Sequence, residues 1–180
     1  MPRANASTDG PATASAPSLA GAGARPAAPE APERRGVLVR DTGFGDDDWA
    51  GGFVRWSGAG SLPERPEGVA LDVENTARAE ELAPVLERVA LIRIAFPSPA
   101  DGRGFSLARH LRLLGYRGRL RASGHILADQ YAMARRSGFD EVEIDASLAA
   151  RQPEDQWRYR ANWWENDYQA RLRASPRRTR

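Results

Sequence analysis

The sequence predicts an α/β fold, a parallel sheet of about four β-α units with a small N-terminal β hairpin and a C-terminal aromatic-rich helix. Four short runs rich in apolar and β-branched residues predict the parallel strands, at residues 69–73, 89–96, 118–123 and 139–144. Apolar residues at helical spacing follow each of the first three runs. Strands that alternate with helices through short connections are typical of parallel sheets with right-handed crossovers. The pattern fits both an open sheet and part of a barrel-like closure.

Composition divides the chain into four predicted segments. They are a disordered Ala/Pro-rich tail (1–34), an N-terminal β segment and linker (35–66), an α/β domain with its C-terminal helix (67–172) and a basic tail (173–180). The first segment lacks periodic apolar positions and the continuous apolar stretch of a secretory signal. The second contains two strand candidates, 36–40 and 53–56, which we expect to form the hairpin around an acidic turn.

The predicted helices of the α/β domain have recognisable boundary residues. Asn75 is the predicted N-cap of the first helix, and Pro84 interrupts that helix. The second helix ends at Gly115, and the third begins near His125 and ends at Gly138. Glycine is the residue that most often follows the end of a helix.

A stripe of apolar residues predicts the C-terminal helix. Trp157, Ala161, Trp164, Tyr168 and Leu172 are spaced by three or four residues, so they share one face. A face with two tryptophans has to be buried against something. The sheet of the same chain is one expected surface, and a partner protein is the other.

Charge and residue content exclude several classes of function. Lys and Arg number 26 and Asp and Glu 24, so the formal net charge of +2 indicates no particular partner. The chain has no cysteine, which excludes disulfides, thiolate nucleophiles and cysteine-ligated clusters within it. No apolar run is long enough for a membrane span, and we expect a cytoplasmic protein. The short basic end, 175–180, lacks interleaved aromatic residues, so nucleic-acid binding is not expected.

The stretch Asp101-Gly-Arg-Gly-Phe-Ser106 between a predicted strand and helix is the main candidate for a ligand site. Glycines let the backbone present its amides, and an arginine offers a planar fork to an oxyanion. The third glycine of a dinucleotide fingerprint is missing, because position 107 is Leu. The predicted small-anion or phosphate site consists of Asp101, Gly102, Arg103, Gly104, Ser106, Arg109, Ser123 and Gly124. The alternative is a tight turn with an Asp-centred hydrogen-bond hub and with Arg103 in a salt bridge.

Two residues after the third predicted strand are candidates for catalysis, in a loop that we expect at the same sheet edge as the 101–106 stretch. His125 and Asp129 are four residues apart, and a helix beginning there would place them on one face. A carboxylate that orients an imidazole supports acid–base chemistry. The alternative is a local ion pair at a helix start. No metal site is predicted, because His110 and His125 lie on separate helices without ligand spacing, and the sequence identifies no cofactor.

Several of these motifs resemble a bacterial family of unknown function, the one numbered nine hundred and thirty-four. The matching motifs are Phe96-Pro97, the run 101–109, Gly115-Tyr116, Leu120-Arg121-Ala122, Asp129-Gln130 and Gly138-Phe139-Asp140. The resemblance spans about residues 68–145, and the long Ala/Pro N-terminal extension departs from it. Members are commonly labelled oxidoreductases of sulfite reduction, because their genes tend to lie beside assimilatory sulfite reductase. The resemblance therefore implies a role in that pathway, with sulfite reductase or a related enzyme as partner.

The residues and the family label favour different functions. An oxidoreductase must hold electrons, but the chain offers neither cysteine nor a dinucleotide fingerprint. The leading hypothesis is an accessory protein of assimilatory sulfite reduction that binds a small anion or a partner enzyme. The first alternative is an enzyme acting on an anionic or phosphorylated small molecule, with His125 as acid/base and Asp129 as its orienting group. The second is a non-catalytic interaction module that uses the C-terminal tryptophans and the segment from Trp49 to Trp56.

Overall fold

The apolar runs form strands of one sheet in the computed structural model, which describes residues 36–58, 62–63 and 68–162. The strands are β1 (Val37–Arg40), β2 (Gly43–Gly45), β3 (Val54–Arg55), β4 (Val69–Val73), β5 (Val89–Phe96), β6 (Arg119–Gly124) and β7 (Glu141–Ile144). The helices are α1 (Ala79–Leu82), α2 (Arg103–Leu113), α3 (Tyr131–Ser137), α4 (Ala146–Arg151) and α5 (Glu154–Arg160). Short 3₁₀ helices occupy Ala83–Arg88 and Ala128–Gln130. No helix among these residues is long and apolar enough to cross a membrane.

Within the described residues, the sheet has seven strands in the order β2-β1-β7-β6-β5-β4-β3. Strands β3 to β7 are parallel to one another, whereas β1 is antiparallel to both β7 and β2. The parallel core predicted from four apolar runs is therefore present, but within a larger sheet. The described strands run in a row between the edges β2 and β3, so the sheet is open.

The N-terminal hairpin pairs different strands from those predicted. Strand β1 does form a hairpin, but its partner is β2, through the register of Val39 with Phe44. The second predicted hairpin strand, 53–56, contains β3, which pairs in parallel with β4 at the opposite edge. The predicted pairing of 53–56 with 36–40 was wrong, because β2 and β7 occupy the two sides of β1.

Two predicted helices differ in their bounds. The first is short: α1 passes directly into the 3₁₀ helix that carries Pro84, because proline cannot donate the hydrogen bond that would continue the helix. The third does not begin near His125. Strand β6 continues through Gly124, Leu127 is still extended, and α3 begins only at Tyr131.

The two faces of the sheet differ in character. The strands β4, β5, β6 and β7 are adjacent in chain order, and right-handed crossovers between such strands place all connecting helices on one face. Side chains on that face, such as Ile94 and Ala122, form one core with Leu111 and Tyr131 of the helices. Because side chains alternate along a strand, the residues between them lie on the opposite face.

The described part of the C-terminal helix is docked on the same chain. Trp157 of α5 is fully buried, and its ring meets that of Tyr131 edge-on at 5.9 Å. Its indole N–H donates to the Gln152 carbonyl at 3.0 Å. Trp164, Tyr168 and Leu172 of the predicted stripe lie outside the described residues.

Candidate functional site

The two predicted loops meet at the carboxyl edge of the sheet. Phe96, the last residue of β5, is in register with Gly124, the last residue of β6. The His125 N–H donates to the Phe96 carbonyl at 2.9 Å, and the Gln130 amide donates to the Pro99 carbonyl at 2.7 Å. Gly124 has a φ of +116°, and a Cβ there would lie 2.6 Å from the Phe96 oxygen. Glycine is therefore required at position 124, where the ends of β5 and β6 come close together.

Asp101 and Arg103 form an ion pair with one another at this edge. The Arg103 guanidinium donates to both carboxylate oxygens of Asp101, at 2.9 and 2.6 Å, and the Arg103 backbone N–H donates to the same carboxylate at 3.2 Å. Arg103 and, next, the nearby amide of Asn75 hold the pKa of Asp101 well below its usual range. An anionic carboxylate already lies at the N-terminus of α2, which is the arrangement of the tight-turn alternative.

The other predicted anion-site residues are distributed over several surfaces. Ser106 and Arg109 are exposed on α2, and Gly102 is the exposed residue just before it. Gly104 is buried, and a Cβ there would lie 2.4 Å from the Phe96 ring, so this glycine serves the contact between α2 and β5. Ser123 is in register with Glu143 on β7.

His125 and Asp129 are not brought together as a catalytic pair. His125 is exposed in a bend that follows β6. The Asp129 carboxylate instead accepts a hydrogen bond from the Arg160 guanidinium at 2.6 Å, with side chains 80% and 44% exposed. The expected helix face does not exist, because the helical backbone begins after both loop residues Ile126 and Leu127.

A row of charged side chains crosses the face of the sheet opposite the helices. The sequence did not lead us to predict this row. Asp72, Arg93, Arg121 and Glu141 occupy neighbouring positions on β4, β5, β6 and β7. We call this surface the charged face, and define it by the seven sheet residues whose ion pairs form one connected network: Arg40, Asp72, Arg93, Arg119, Arg121, Glu141 and Glu143. Arg93 donates to Asp72 at 3.0 and 3.1 Å and to Glu143 at 3.4 Å.

Glu141 and Arg121 form the centre of the charged face. Both are almost completely buried, at 2% and 0% exposed, and the Arg121 Nε donates to Glu141 at 2.7 Å. Glu141 also accepts from Arg119 at 2.7 Å and from Arg40 at 3.0 Å. Burial by itself raises the pKa of Glu141, but Arg119 and Arg121 outweigh it, so the pKa lies below its ordinary value. The glutamate is therefore a buried anion held by three cations.

An acidic segment covers the charged face. Residues 46–53, which we call the strap, connect β2 at one edge of the sheet to β3 at the other. Asp47 binds the Arg121 guanidinium with two bonds of 2.7 Å, and Asp48 accepts from Arg40 at 2.9 Å and from Arg119 at 2.8 Å. The Phe53 ring lies over Arg93, 3.7 Å from its guanidinium carbon.

The reach of the strap shows that the sheet curves towards it. Six steps between neighbouring strands span about 29 Å in a flat sheet. The nine residue steps from Gly45 to Val54 reach at most about 32 Å when fully extended. The strap is not extended: the Trp49 N–H bonds the Asp47 carboxylate, the Trp49 indole returns to the Gly52 carbonyl, and Gly52 has a φ of +65°. The edges must therefore be closer than in a flat sheet, and the charged face is concave.

Spacing could have revealed the charged face. Arg119 and Arg121 are two residues apart in one predicted strand, and Glu141 and Glu143 are two apart in the next. A period of two in charge marks a second face of a strand. In the run 89–96, the apolar residues on both sides of Arg93 concealed the corresponding charge.

Two clefts lie away from both of these places. One of about 510 Å³ is lined by Asp41, Asp155, Arg158, Tyr159, Ala161 and Asn162. The other, of about 400 Å³, is lined by residues that include Arg112, Tyr116, Arg117 and Asp140. Within the described ranges, no group of three or more metal-ligating side chains is close enough to hold a metal ion.

Comparison with known proteins bears on the sheet and the edge loops. A family model described as a bacterial protein of unknown function (DUF934) matches residues 68–177, more than half of the chain. The chain belongs to this family. The DUF934 match contains strands β4 to β7, both edge loops and six of the seven charged-face residues, and it begins after the strap and Arg40. No curated protein matches the chain.

Proposed function

We propose that this DUF934 protein is a cytoplasmic accessory protein of assimilatory sulfite reduction, which acts by binding a partner enzyme. The pathway is the one implied by the family label, and the partner it implies is sulfite reductase or a related sulfur-assimilation enzyme. A binding role rather than catalysis is what the geometry favours.

The observation that carries this choice is the separation of the predicted catalytic pair. A carboxylate can orient a general base only from within hydrogen-bond reach of the imidazole. The Asp129 carboxylate is engaged by Arg160 at 2.6 Å, and His125 is exposed in a bend outside any helix. An acid–base enzyme that uses this pair would need the segment between β6 and α3 to rearrange.

The surface around these loops supports binding of a protein rather than of a small substrate. Small-molecule sites are usually concave and enclosed. The two clefts described above are not lined by His125, Ser106 or Arg109, and these three residues are displayed on an exposed edge. Arg103, which the small-anion prediction needs, is already paired with Asp101. A small-anion site at this edge stays a prediction.

Growth of a strain lacking the gene tests the pathway. We expect failure on sulfate and sulfite as sole sulfur sources, and rescue by sulfide and by cysteine. The chain with His125→Ala should restore growth as well as the unchanged chain does. Normal growth of the deletion strain on all four sources would contradict the proposal. Failure of the His125→Ala chain to restore growth, although it folds and accumulates, would favour the enzyme alternative.

Direct binding tests the accessory role. Purified protein should bind purified sulfite reductase, measured by calorimetry or by co-migration in gel filtration. Truncation after Asn162 removes Trp164, Tyr168 and Leu172 while it keeps the buried Trp157. If those residues form the partner-binding face, the truncated chain loses binding and keeps the urea unfolding midpoint of the full chain. Absence of binding by the full chain would refute this partner.

A further inference from the structure

We propose that the charged face is a binding site for a small, doubly charged oxyanion, which replaces the carboxylates of Asp47 and Asp48. The chemical class is a compact dianion such as sulfate, sulfite or hydrogen phosphate. The site lies on the opposite face of the sheet from the helices and does not include the loops at the carboxyl edge. It does not depend on the accessory role.

The first support is the chemistry that the strap already displays. Asp47 forms two parallel bonds of 2.7 Å with the Arg121 guanidinium, the fork geometry with which arginine recognises oxyanions. Asp48 bridges Arg40 and Arg119 at 2.9 and 2.8 Å. Two carboxylates of the chain thus occupy positions where oxygens of an anion would receive hydrogen bonds from three arginines.

The second support is the balance of charge. The sheet residues of the charged face comprise four arginines and three carboxylates, which leaves a formal charge of +1 before the strap is counted. Asp47 and Asp48 together add two negative charges. A dianion supplies the same charge from one small group, so it can exchange for the two carboxylates without leaving buried Arg121 unpaired.

The third support is the accessibility of the strap carboxylates. The Asp47 and Asp48 side chains are 38% and 61% exposed, whereas Glu141 beneath them is 2% exposed. Residues 46–53 belong to no strand, so their displacement breaks no ladder hydrogen bond of the sheet. Gly51 and Gly52 lie between the acids and Phe53, at the point where the strap bends. The two carboxylates can therefore leave while Phe53 stays on Arg93.

The test removes the competing carboxylates without removing the arginines. In the double variant Asp47→Asn and Asp48→Asn, each side chain keeps its size and loses its charge. Calorimetric titration with sodium sulfate, against sodium chloride at matched ionic strength, should show binding about tenfold tighter than in the unchanged chain, because two partly exposed carboxylates no longer compete. Asp46→Asn is the matched control. It removes one negative charge from the strap where the double variant removes two, and Asp46 forms no ion pair with any described residue.

A second measurement shows where the anion binds. Adding Arg119→Gln to the double variant should abolish the gain, and Arg119 is suitable because its side chain is 32% exposed and tolerates replacement better than buried Arg121. Trp49 emission, taken as the difference from a Trp49→Phe chain, should change on sulfate addition as the strap moves.

Three results would overturn the proposal. One is the absence of sulfate binding by a folded double variant. Another is equal tightening in Asp46→Asn, which would indicate a general charge effect. The third is unchanged sulfate affinity after Arg119→Gln, which would place the anion elsewhere.

Discussion

Removing the charge of Glu141 tests whether the charged face holds the sheet together. In Glu141→Gln the side chain keeps its volume and one acceptor oxygen, but its three arginine contacts at 2.7, 2.7 and 3.0 Å lose their anion. Breaking a buried ion pair by removing one partner costs about 3–5 kcal/mol. Arg121 retains Asp47 at 2.7 Å and Glu143 at 3.2 Å. We therefore expect the lower end of that range, about 3 kcal/mol.

Urea unfolding followed by circular dichroism measures this loss directly, and thermal unfolding should show a Tm lower by about 6–12 °C. The matched control is Glu143→Gln, which makes the same change two residues along the strand. The Glu143 side chain is 18% exposed and its contacts are longer, at 3.2 to 3.4 Å, so we expect a loss of about 1 kcal/mol. If Glu141→Gln loses no more free energy of unfolding than Glu143→Gln, burial does not set the strength of these contacts, and the reasoning is wrong.

Three further predictions concern pH, packing and the edge loops. Arg121 lowers the pKa of Asp47 below its ordinary 3.8, and the pKa of Glu141 lies below its ordinary 4.5. Both carboxylates therefore stabilise the fold at pH values above these ordinary pKa values. The free energy of unfolding should fall as the pH decreases below 4.5, and it should fall less steeply in Glu141→Gln. Gly104→Ala places a Cβ 2.4 Å from the Phe96 ring and should cost about 1–3 kcal/mol in urea unfolding, whereas Gly102→Ala meets nothing nearer than 3.9 Å and should not. Asp129→Asn removes an exposed pair and should change unfolding free energy by less than about 1 kcal/mol; a larger loss would show that the Arg160 contact holds the loop.

The parallel core of the fold could be predicted because its signals are local. Each of the strands β4 to β7 is a short apolar run, and the helix-ending Gly138 has the left-handed φ of +108° that favours glycine. Strands β2 and β3 have three and two residues, too few for a period to be recognised. Their placement at opposite edges depends on contacts between residues distant in the chain.

The candidate site was harder to predict than the fold. The sequence correctly placed the residues after Phe96 and Gly124 at one edge, since parallel strands end together. The sequence could not decide whether Arg103 binds a ligand or pairs with Asp101, because the same six residues, 101–106, are compatible with both arrangements. Nor could it find the partner of Asp129: Arg160 is 31 positions away, and only the docking of α5 brings it near.

The charged face also explains why the sheet has one register. A shift of one residue in β6 would turn Arg121 and Arg119 into the apolar core beneath the helices, at a cost comparable to the whole stability of a domain. A shift of two residues keeps both arginines on the charged face, but it moves Arg121 away from its register partner Glu141. The strap adds a further constraint, because Asp47 meets Arg121 only when β6 lies at its present height. Ion pairs thus exclude the shifts that apolar packing alone would tolerate, and the same pairs leave the strap carboxylates as the most accessible anions on this face.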